Sequence, residues 1–520
     1  MKIKVKQNLN APAEKAVDSI DALIVVLPCS DAKPAWPVFA YRDIIKKRFE
    51  RLGDRVGTTE PFVTELPNGT GTRVACIWLA ADSSAFQRLT LARKAVAALL
   101  GADPANIDVL FAGLTPADTE HAALALVAAL LAASAELPQF KSKQPKPKRL
   151  ATVALHGVGK QIDLARTLAE AAGNNLAREL TILPSNELTP AMYRKRIATL
   201  TRQHGWRMQF LDTAALKRKK AGAFLAVAQG SAAADAGIVH LQYRPRHAKR
   251  KLALVGKGIC YDTGGVNVKP AKFMYGMHED MAGSAVALGT LLALTGIKAD
   301  IAVDCWLALA QNHVGPKAYK PNDIVTASNG TTIEVVHTDA EGRMVLADTL
   351  AIASQAKPDL IIDYATLTGS CVHALGTAYS GAFTNRDEML ADVIAAGRDS
   401  GERVWPFPTD ADYDKALDSD IADIKQCALD GTADHILATR FLSRFVGKDI
   451  PWLHVDLSAS SNKGGLAHVP TDTTGFGIRY TLNLLLDKQV IKPPPAIKKT
   501  AKRQAQKKAW PGRNKMESGA

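Results

Sequence analysis

The sequence has little of what marks secreted, membrane-spanning or thiolate-metal proteins. Its six cysteines are scattered without a C-x-x-C pair, so they form neither a zinc motif nor an obvious disulfide framework. The first fifteen residues are basic but lack the apolar run of a secretory signal. The longest apolar run, at 122–135, is shorter than the roughly 20 residues that span a membrane, and it predicts a buried helix. We therefore expect a cytoplasmic protein.

Aromatic residues are also scarce, at 6%, whereas 47% of the 520 residues are hydrophobic, which predicts globular domains with alanine-rich cores. Strand-like runs such as ALIVVLP (22–28) alternate with helical runs, which indicates the α/β class. A Pro- and Lys-rich stretch at 141–149 indicates a junction. We predict two α/β lobes: a smaller N-terminal domain at 1–160, and a larger domain at 161–490 with a mixed, mainly parallel central sheet flanked by helices.

Acidic residues are nearly absent from the end of the chain. The formal net charge is +14, and the segment from Lys488 to Ala520 holds ten Lys or Arg and a single acid, Glu517. Its Pro run and dense like charge predict a largely disordered basic tail at 491–520. This tail is interpreted as a solvated extension, and contact with nucleic acid through phosphates is the functional alternative.

Three common catalytic motifs are missing. HGVGKQ at 156–161 lacks the first glycine of a P-loop and has Gln161 where Ser or Thr would bind magnesium. HED at 278–280 is followed by Ala282 rather than the second histidine of a zincin. No G-x-S-x-G elbow is present, which argues against a serine hydrolase.

What the chain does contain is a charged stretch, HTDAEGRMVLADTL, at 337–350. Asp339, Glu341 and Arg343 alternate, and in an extended segment they would share one face. Thr338 and Glu341 also fit a helix capping box, so this stretch taken alone leaves both interpretations open.

A second stretch, at 252–289, supplies partners for these charges. It places Lys257 at the end of an apolar strand, Asp262 in a Gly-rich turn, and Asp280 before a helix of small residues. Four carboxylates and one amine suit two divalent metals, whose positive charge offsets the repulsion among the acids. The predicted ligands are Lys257, Asp262, Asp280, Asp339 and Glu341, with Lys269 and Arg343 as uncoordinated cations.

With these motifs in view, the chain resembles the leucyl aminopeptidase (cytosol aminopeptidase) family of dinuclear metallo-aminopeptidases. The resemblance covers roughly residues 165–487. The motifs that carry it are HTDAEGR, VGKG, YDTGG, VKP and HEDMAG, together with NNLARELTILPSNELTP at 174–190, ATLTGS at 365–370, IADIKQ at 421–426 and TGFGIR at 474–479.

The resemblance implies a metal-dependent aminopeptidase that releases N-terminal amino acids from peptides. It implies that Lys257, Asp262, Asp280 and Glu341 hold the tighter metal, and that Asp262, Asp339 and Glu341 hold the more exchangeable one. Lys269 would polarise the scissile carbonyl, and Arg343 would hold a bicarbonate that acts as general base. The implied ions are manganese or zinc, with magnesium or cobalt as alternatives, and the implied assembly is a hexamer with its active sites facing an inner cavity.

The resemblance also implies a substrate pocket. Its residues are Met277, Thr366, Leu367, Gly369 and Ser458. Ser458 stands where the family commonly has alanine, and a hydroxyl disfavours a leucine side chain unless it is hydrogen-bonded, so we hypothesise an altered side-chain preference.

Two other interpretations stay open from sequence. A different dinuclear hydrolase, an esterase or a phosphatase, would leave the lysine ligand unexplained. A catalytically altered family member could bind nucleic acid through its basic tail, although no predicted ligand is lost. His373 and His454 are interpreted as near-surface or core residues rather than ligands.

Overall fold

The computed structural model describes residues 3–30, 33–52, 58–143 and 149–491. Apart from Ile491, the predicted basic tail lies outside the described residues. Within them there are three sheets. A seven-stranded and an eight-stranded sheet form two lobes, in agreement with the predicted fold class, and the third sheet is small, with three strands. The predicted boundary between residues 160 and 161 falls between the last strand of the first sheet, which ends at His156, and the helix that starts at Ala165.

The strands are numbered in chain order. They are β1 Lys4–Asn8, β2 Ala22–Ser30, β3 Lys33–Pro34, β4 Phe62–Glu65, β5 Arg73–Ala80, β6 Asn106–Phe111, β7 Thr152–His156, β8 Arg207–Asp212, β9 Gly237–Tyr243, β10 Arg250–Asp262, β11 Ile301–Asn312, β12 Ile324–Thr326, β13 Thr332–Glu334, β14 Leu360–Ala365, β15 Ser380–Thr384, β16 Val404–Pro406, β17 Ile424–Lys425 and β18 Trp452–Asp456.

The α-helices follow the same numbering. They are α1 Glu14–Val17, α2 Arg42–Glu50, α3 Ala85–Leu100, α4 Pro116–Ala133, α5 Ala165–Thr181, α6 Pro190–His204, α7 Thr213–Arg218, α8 Gly222–Ala228, α9 Ala271–Met274, α10 Ala282–Gly296, α11 Glu341–Ser354, α12 Gly369–Leu375, α13 Leu390–Ser400, α14 Asp434–Ser443 and α15 Ile478–Leu482.

The N-terminal lobe is built on a sheet of order β1-β7-β6-β2-β5-β4, in which all neighbours except β4 and β5 run parallel. Strand β2 is an almost continuous apolar run because a parallel sheet is covered on both faces. The alanine-rich run lies in α4, and Thr115 caps the start of this helix, since its hydroxyl accepts from the Asp118 amide at 3.2 Å. Eleven α4 residues are buried, so the predicted buried helix is confirmed. Among the described residues, no helix is both long and apolar enough to cross a membrane.

The larger lobe has an eight-stranded sheet of order β16-β15-β18-β14-β10-β11-β9-β8. Central strand β10 runs parallel to both β11 and β14. Its alternate residues enter two cores: Leu252 and Leu254 pack with α10 on one face, whereas Ala253 and Val255 pack with α11 on the other. The strand and its two covering helices therefore converge where β10 ends.

Two glycines permit this convergence. A Cβ atom on Gly283 of α10 would lie 2.1 Å from the Tyr364 carbonyl oxygen of β14. A Cβ atom on Gly342 of α11 would lie 2.6 Å from Cε of Lys257. Because atoms cannot approach so closely, both helix starts need a residue without a side chain.

Both local interpretations of HTDAEGR are wrong. Asp339 lies in a turn and α11 begins at Glu341, so the segment is not extended and its alternate residues do not share a strand face. The capping box is also absent: Ala340 precedes the helix, and the Thr338 hydroxyl instead donates to the Gly264 carbonyl at 2.6 Å. Thr338 thus ties this turn to the Gly-rich loop after β10, and this tertiary contact outweighs the local capping preference.

Candidate dinuclear metal site

The predicted ligands come from three neighbouring parts of the larger lobe. Lys257 lies in β10 and Asp262 ends that strand. Asp280 follows a short 3-10 turn at Met277–Glu279, and Glu341 opens α11. The carboxyl ends of parallel strands meet at one edge of a sheet, where ligand sites of α/β proteins are usually built.

Lys257 is the centre of this cluster, with only 3% of its side chain exposed. Its Nζ lies 2.8 Å from Asp280 Oδ1, 2.9 Å from Glu341 Oε1 and 3.0 Å from the Thr366 carbonyl oxygen. Burial alone would lower the pKa of Lys257, but the charges of Asp280 and Glu341 outweigh burial and raise it. A metal that binds this nitrogen must therefore displace a firmly held proton.

The carboxylates are crowded. One oxygen each of Asp262, Asp280 and Glu341 lies within 4.8 Å of the others. Burial, with the charges of Glu341 and Asp262, raises the pKa of Asp280 to about 8, and burial and Glu341 raise that of Asp262. Burial would also raise the pKa of Glu341, but Lys257 and Lys269 outweigh it and lower that pKa. Burial and mutual repulsion thus disfavour the ionised forms of Asp262 and Asp280.

Two oxygens in this cluster test whether a metal fits. Asp280 Oδ2 and Glu341 Oε2 are buried and have no hydrogen-bond partner among the described residues. A buried carboxylate oxygen without a partner is costly, and a divalent cation would remove that cost. Carboxylate oxygens with one amine nitrogen also suit the ions that the sequence predicts. The residues therefore fit a metal.

Asp339 and Lys269 form the outer half of the site. Lys269 Nζ lies 2.8 Å from Asp262 Oδ2 and 2.5 Å from Asp339 Oδ1. Burial, together with the charges of Glu341 and Asp262, raises the pKa of Asp339 to about 7. The Asp339 side chain is 27% exposed, against 2% for Asp262, so this half is the more open one.

Arg343 departs from the predicted arrangement. Its side chain is 3% exposed and its Nη2 donates to both carboxylate oxygens of Asp434, at 2.7 and 2.9 Å. Its Nη1 donates to the Gln426 carbonyl at 3.2 Å. Burial would lower the pKa of Arg343, but Asp434 outweighs it and raises that pKa. Arg343, predicted as a cation that does not coordinate the metal, is therefore one half of an ion pair whose carboxylate is 26% exposed.

Four of the five predicted pocket residues follow β14 or β18. The Thr366 hydroxyl donates to Asp280 Oδ1 at 2.7 Å, and the Leu367 amide donates to Asp456 Oδ1 at 3.0 Å. Gly369 opens α12, and Met277 lies in the 3-10 turn before Asp280. The Ser458 hydroxyl donates to the Tyr379 carbonyl at 2.8 Å, so it is hydrogen-bonded.

Sequence reasoning missed the residues that hold the ligands in place. Asn312 Nδ2 donates to Asp262 Oδ1 at 2.8 Å, and the Gly264 amide donates to the same oxygen at 2.9 Å. Gln426 accepts from the His337 amide at 3.1 Å and donates to the Ala340 carbonyl at 3.0 Å. Asp434 is 91 residues from its partner Arg343. Two of these residues lie in motifs of the sequence analysis, because YDTGG contains Gly264 and IADIKQ ends at Gln426.

His373 and His454, which the sequence analysis does not count as ligands, pair with groups outside the predicted ligand set. His454 is fully buried, with Nδ1 2.7 Å from Asp363 Oδ1. His373 is exposed, with Nδ1 2.7 Å from the Gly369 carbonyl. Their interpretation as core and near-surface residues is confirmed.

Comparison with known proteins extends these observations. The model of the cytosol aminopeptidase family, catalytic domain, matches residues 175–482. A probable cytosol aminopeptidase of Parasynechococcus marenigrum is 40% identical over 406 residues, covering 76% of this chain and 82% of the relative. One from Syntrophotalea carbinolica is 39% identical over 372 residues, covering 69% and 74%.

Solved structures give the same result. A mutant of tomato leucine aminopeptidase superposes with a TM-score of 0.82 at 28% identity, covering 94% of this chain and 97% of that one. The bottromycin maturation enzyme BotP in complex with Mn gives 0.77 at 29% identity, covering 90% and 99%. The predicted resemblance is confirmed: this chain belongs to the cytosol aminopeptidase family of hydrolases.

Proposed function

We propose that this protein is a metal-dependent aminopeptidase that releases N-terminal residues from peptides. The observation that carries the proposal is the buried cluster of Lys257, Asp280 and Glu341, whose carboxylates keep oxygens without partners. Membership of the family supplies the reaction class, and the cluster supplies a place for the metal.

Two overlapping ligand sets are proposed. The tighter ion would bind Lys257, Asp262, Asp280 and Glu341, and the more exchangeable ion would bind Asp262, Asp339 and Glu341. When bound, two divalent ions supply Lewis acidity and an activated water. The manganese reported with BotP supports manganese here, with zinc, magnesium and cobalt as the other candidates.

Lys269 is proposed to stabilise the charge that develops on the scissile carbonyl oxygen. Burial would lower its pKa, but the charges of Asp262, Glu341 and Asp339 raise it, so the ammonium stays charged. Its side chain is 15% exposed, which leaves the cation accessible from the open half of the site. A fixed positive charge in a partly dry site is the usual means of stabilising an oxyanion.

The ligands are oriented by neutral donors. Asn312 and the Gly264 amide fix Asp262, and Thr366 fixes Asp280. Such hydrogen bonds fix the orientation of each carboxylate, and Asp280 Oδ2 keeps no partner among the described residues, so it would be available to an ion. Thr366 thereby connects the metal cluster to the proposed substrate pocket of Met277, Thr366, Leu367, Gly369 and Ser458.

Bicarbonate fits Arg343 less well than the resemblance implies. Nη2 donates to both Asp434 oxygens and Nη1 donates to the Gln426 carbonyl, so Nε is the one guanidinium nitrogen without a partner among the described residues. A planar anion therefore does not find two neighbouring unpaired nitrogens. We therefore derive no step through bicarbonate. The hexamer and the cytoplasmic location stay predictions.

A substrate panel tests the proposal. Release of the N-terminal residue from aminoacyl amides and dipeptides is measured with added manganese or zinc and after chelation. We expect metal-dependent turnover in the wild type that is lost in Glu341→Ala. The matched control is Glu388→Ala, which removes an exposed glutamate from the same lobe and should keep full activity.

Absence of turnover from a wild-type protein with two bound metals would contradict the proposal and favour the nucleic-acid alternative. That alternative has its own test, because deletion of residues 491–520 would then abolish nucleic-acid affinity. Neutralising an equal number of basic residues in the larger lobe is the control.

A further inference from the structure

We propose that the Asp434 carboxylate takes the place on Arg343 that the family resemblance assigns to bicarbonate. In this role Asp434 accepts the proton of the attacking water and later gives it to the leaving nitrogen. This inference rests on the proposed aminopeptidase function. The Arg343–Asp434 ion pair is the observation behind it.

The ion pair is placed by tertiary structure. Arg343 lies in the first turn of α11, two residues after the metal ligand Glu341, and Asp434 is the first residue of α14. Ala433 before it adopts φ +52°, in the left-handed region that alanine rarely occupies. This strained turn places Asp434 on the buried guanidinium.

The residue that follows Asp434 connects α14 to the start of α12, beside the proposed substrate pocket. The amide of the next residue, His435, donates to the Ser370 hydroxyl at 3.0 Å, and Ser370 directly follows Gly369 of the pocket. The Asp434 side chain is 26% exposed, whereas its partner Arg343 is 3% exposed. The carboxylate is thus held by the helix that bears Glu341, while its own side chain stays partly open to solvent.

The chemistry needs a group that accepts and returns one proton. As the water oxygen bonds to the carbonyl carbon, its proton passes to the Asp434 carboxylate. As the C–N bond breaks, the resulting carboxylic acid gives that proton to the leaving nitrogen, so Asp434 ends unprotonated. Arg343 cannot do this, because a guanidinium stays protonated, but it holds the carboxylate in place.

A structural role is the competing explanation, because an acid in the first turn favours a helix start. Two variants separate the roles. Asp434→Asn keeps the shape and removes the charge, whereas Asp434→Ala empties the space on Arg343. Asp414→Asn is the matched control, since Asp414 also pairs with arginines, Arg440 and Arg444, and is 20% exposed.

The experiment combines kinetics with direct binding. Turnover of the metal-loaded enzyme is measured in carbon dioxide-free buffer and with added bicarbonate, and ¹³C-labelled bicarbonate is titrated by NMR. For the wild type we expect no saturable bicarbonate binding and no stimulation. Asp434→Asn should lose about 10²- to 10⁴-fold in kcat, the usual contribution of a general base, while Asp414→Asn keeps its activity.

Asp434→Ala provides the rescue. It should bind ¹³C-bicarbonate saturably and regain at least about tenfold in kcat when bicarbonate is added, which a purely structural role would not produce. Saturable binding and stimulation in the wild type, or full turnover by Asp434→Asn, would overturn the inference. An inactive wild type would instead refute the proposed function, and the NMR titration would still show whether Asp434 excludes bicarbonate from Arg343.

Discussion

At the scale of single residues, the partner of each polar atom decides its effect. Ser458 illustrates this point, because its hydroxyl was expected to disfavour a leucine side chain. In the structure the hydroxyl donates to the Tyr379 carbonyl, so its polarity is already satisfied. The hypothesis of altered side-chain preference therefore loses its physical reason.

Ser458→Ala should leave the ranking of substrates unchanged. The Tyr379 carbonyl loses its donor, so we expect a cost of about 1 kcal/mol in the free energy of unfolding. The aminoacyl amide panel and urea denaturation measure the two effects. A change of more than tenfold in the ratio of leucine to alanine amide hydrolysis would show that the hydroxyl does face the substrate.

At the scale of secondary-structure elements, the site depends on how closely α10 and α11 approach the sheet. Gly283 lies three residues after the proposed ligand Asp280, and its backbone contacts β14. A shift of α10 would therefore also move Asp280 away from Lys257.

Gly283→Ala should destabilise the protein by about 1–3 kcal/mol, because a Cβ atom 2.1 Å from the Tyr364 carbonyl oxygen forces the backbones apart. Metal affinity should fall in parallel. Urea denaturation and metal titration measure the two effects. Gly101→Ala is the control, because its Cβ would meet nothing within 4 Å, and equal stability of the two variants would refute the packing argument.

Helix α15 provides a second prediction at this scale, through Glu402. This side chain is buried, and its Oε2 accepts from the Gly477 and Tyr480 amides, each at 2.9 Å. Burial raises the pKa of Glu402 from 4.5 to about 7, against the opposing effect of these amides. A folded-state pKa above the unfolded one favours folding below pH 4.5, and this contribution is lost as the pH rises through 7.

Glu402→Gln should therefore flatten the pH dependence of stability. Between pH 4.5 and 8 the wild type should lose up to about 3 kcal/mol relative to the variant, at about 1.4 kcal/mol per pKa unit. Urea denaturation across this range is the measurement, with Glu388→Gln as an exposed control. Parallel curves for wild type and Glu402→Gln would contradict the assigned cause.

At the scale of the whole molecule, two arginines connect the lobes, one from each lobe. Arg93 of the smaller lobe donates to the Gly464 and Ala467 carbonyls at 2.6 and 2.9 Å. Arg403 of the larger lobe lies 3.6 Å from the ring centroid of Phe86 in α3. The predicted metal ligands, by contrast, all lie in the larger lobe.

Metal should therefore stabilise the larger lobe selectively. An ion at 100 times its dissociation constant adds about 2.7 kcal/mol per site, because it binds only the folded arrangement of β10, Asp280 and α11. Hydrogen exchange of peptides from β10 and α11 should slow with manganese or zinc, while peptides from α4 should not change. Equal exchange with and without metal, or the same slowing in Glu341→Ala, would contradict this expectation.

The sequence by itself determined the α/β class, the buried helix at α4 and the family. It could also name the metal-ligand candidates, because four acids and a lysine near strand ends and helix starts are costly unless they meet a cation. Those signals are local, because each motif spans only a few residues. Its charges can be recognised without knowing which residues they contact.

Only the tertiary structure decided the start of α11, the hydrogen bond of Ser458 and the partner of Arg343. Thr338 could have capped a helix, but the loop at Gly264 holds it instead. Asp434 lies in a different helix, 91 residues away from the arginine it binds. A contact between side chains so far apart in the chain depends on how α11 and α14 pack against each other on one face of the sheet, and no local pattern records that packing.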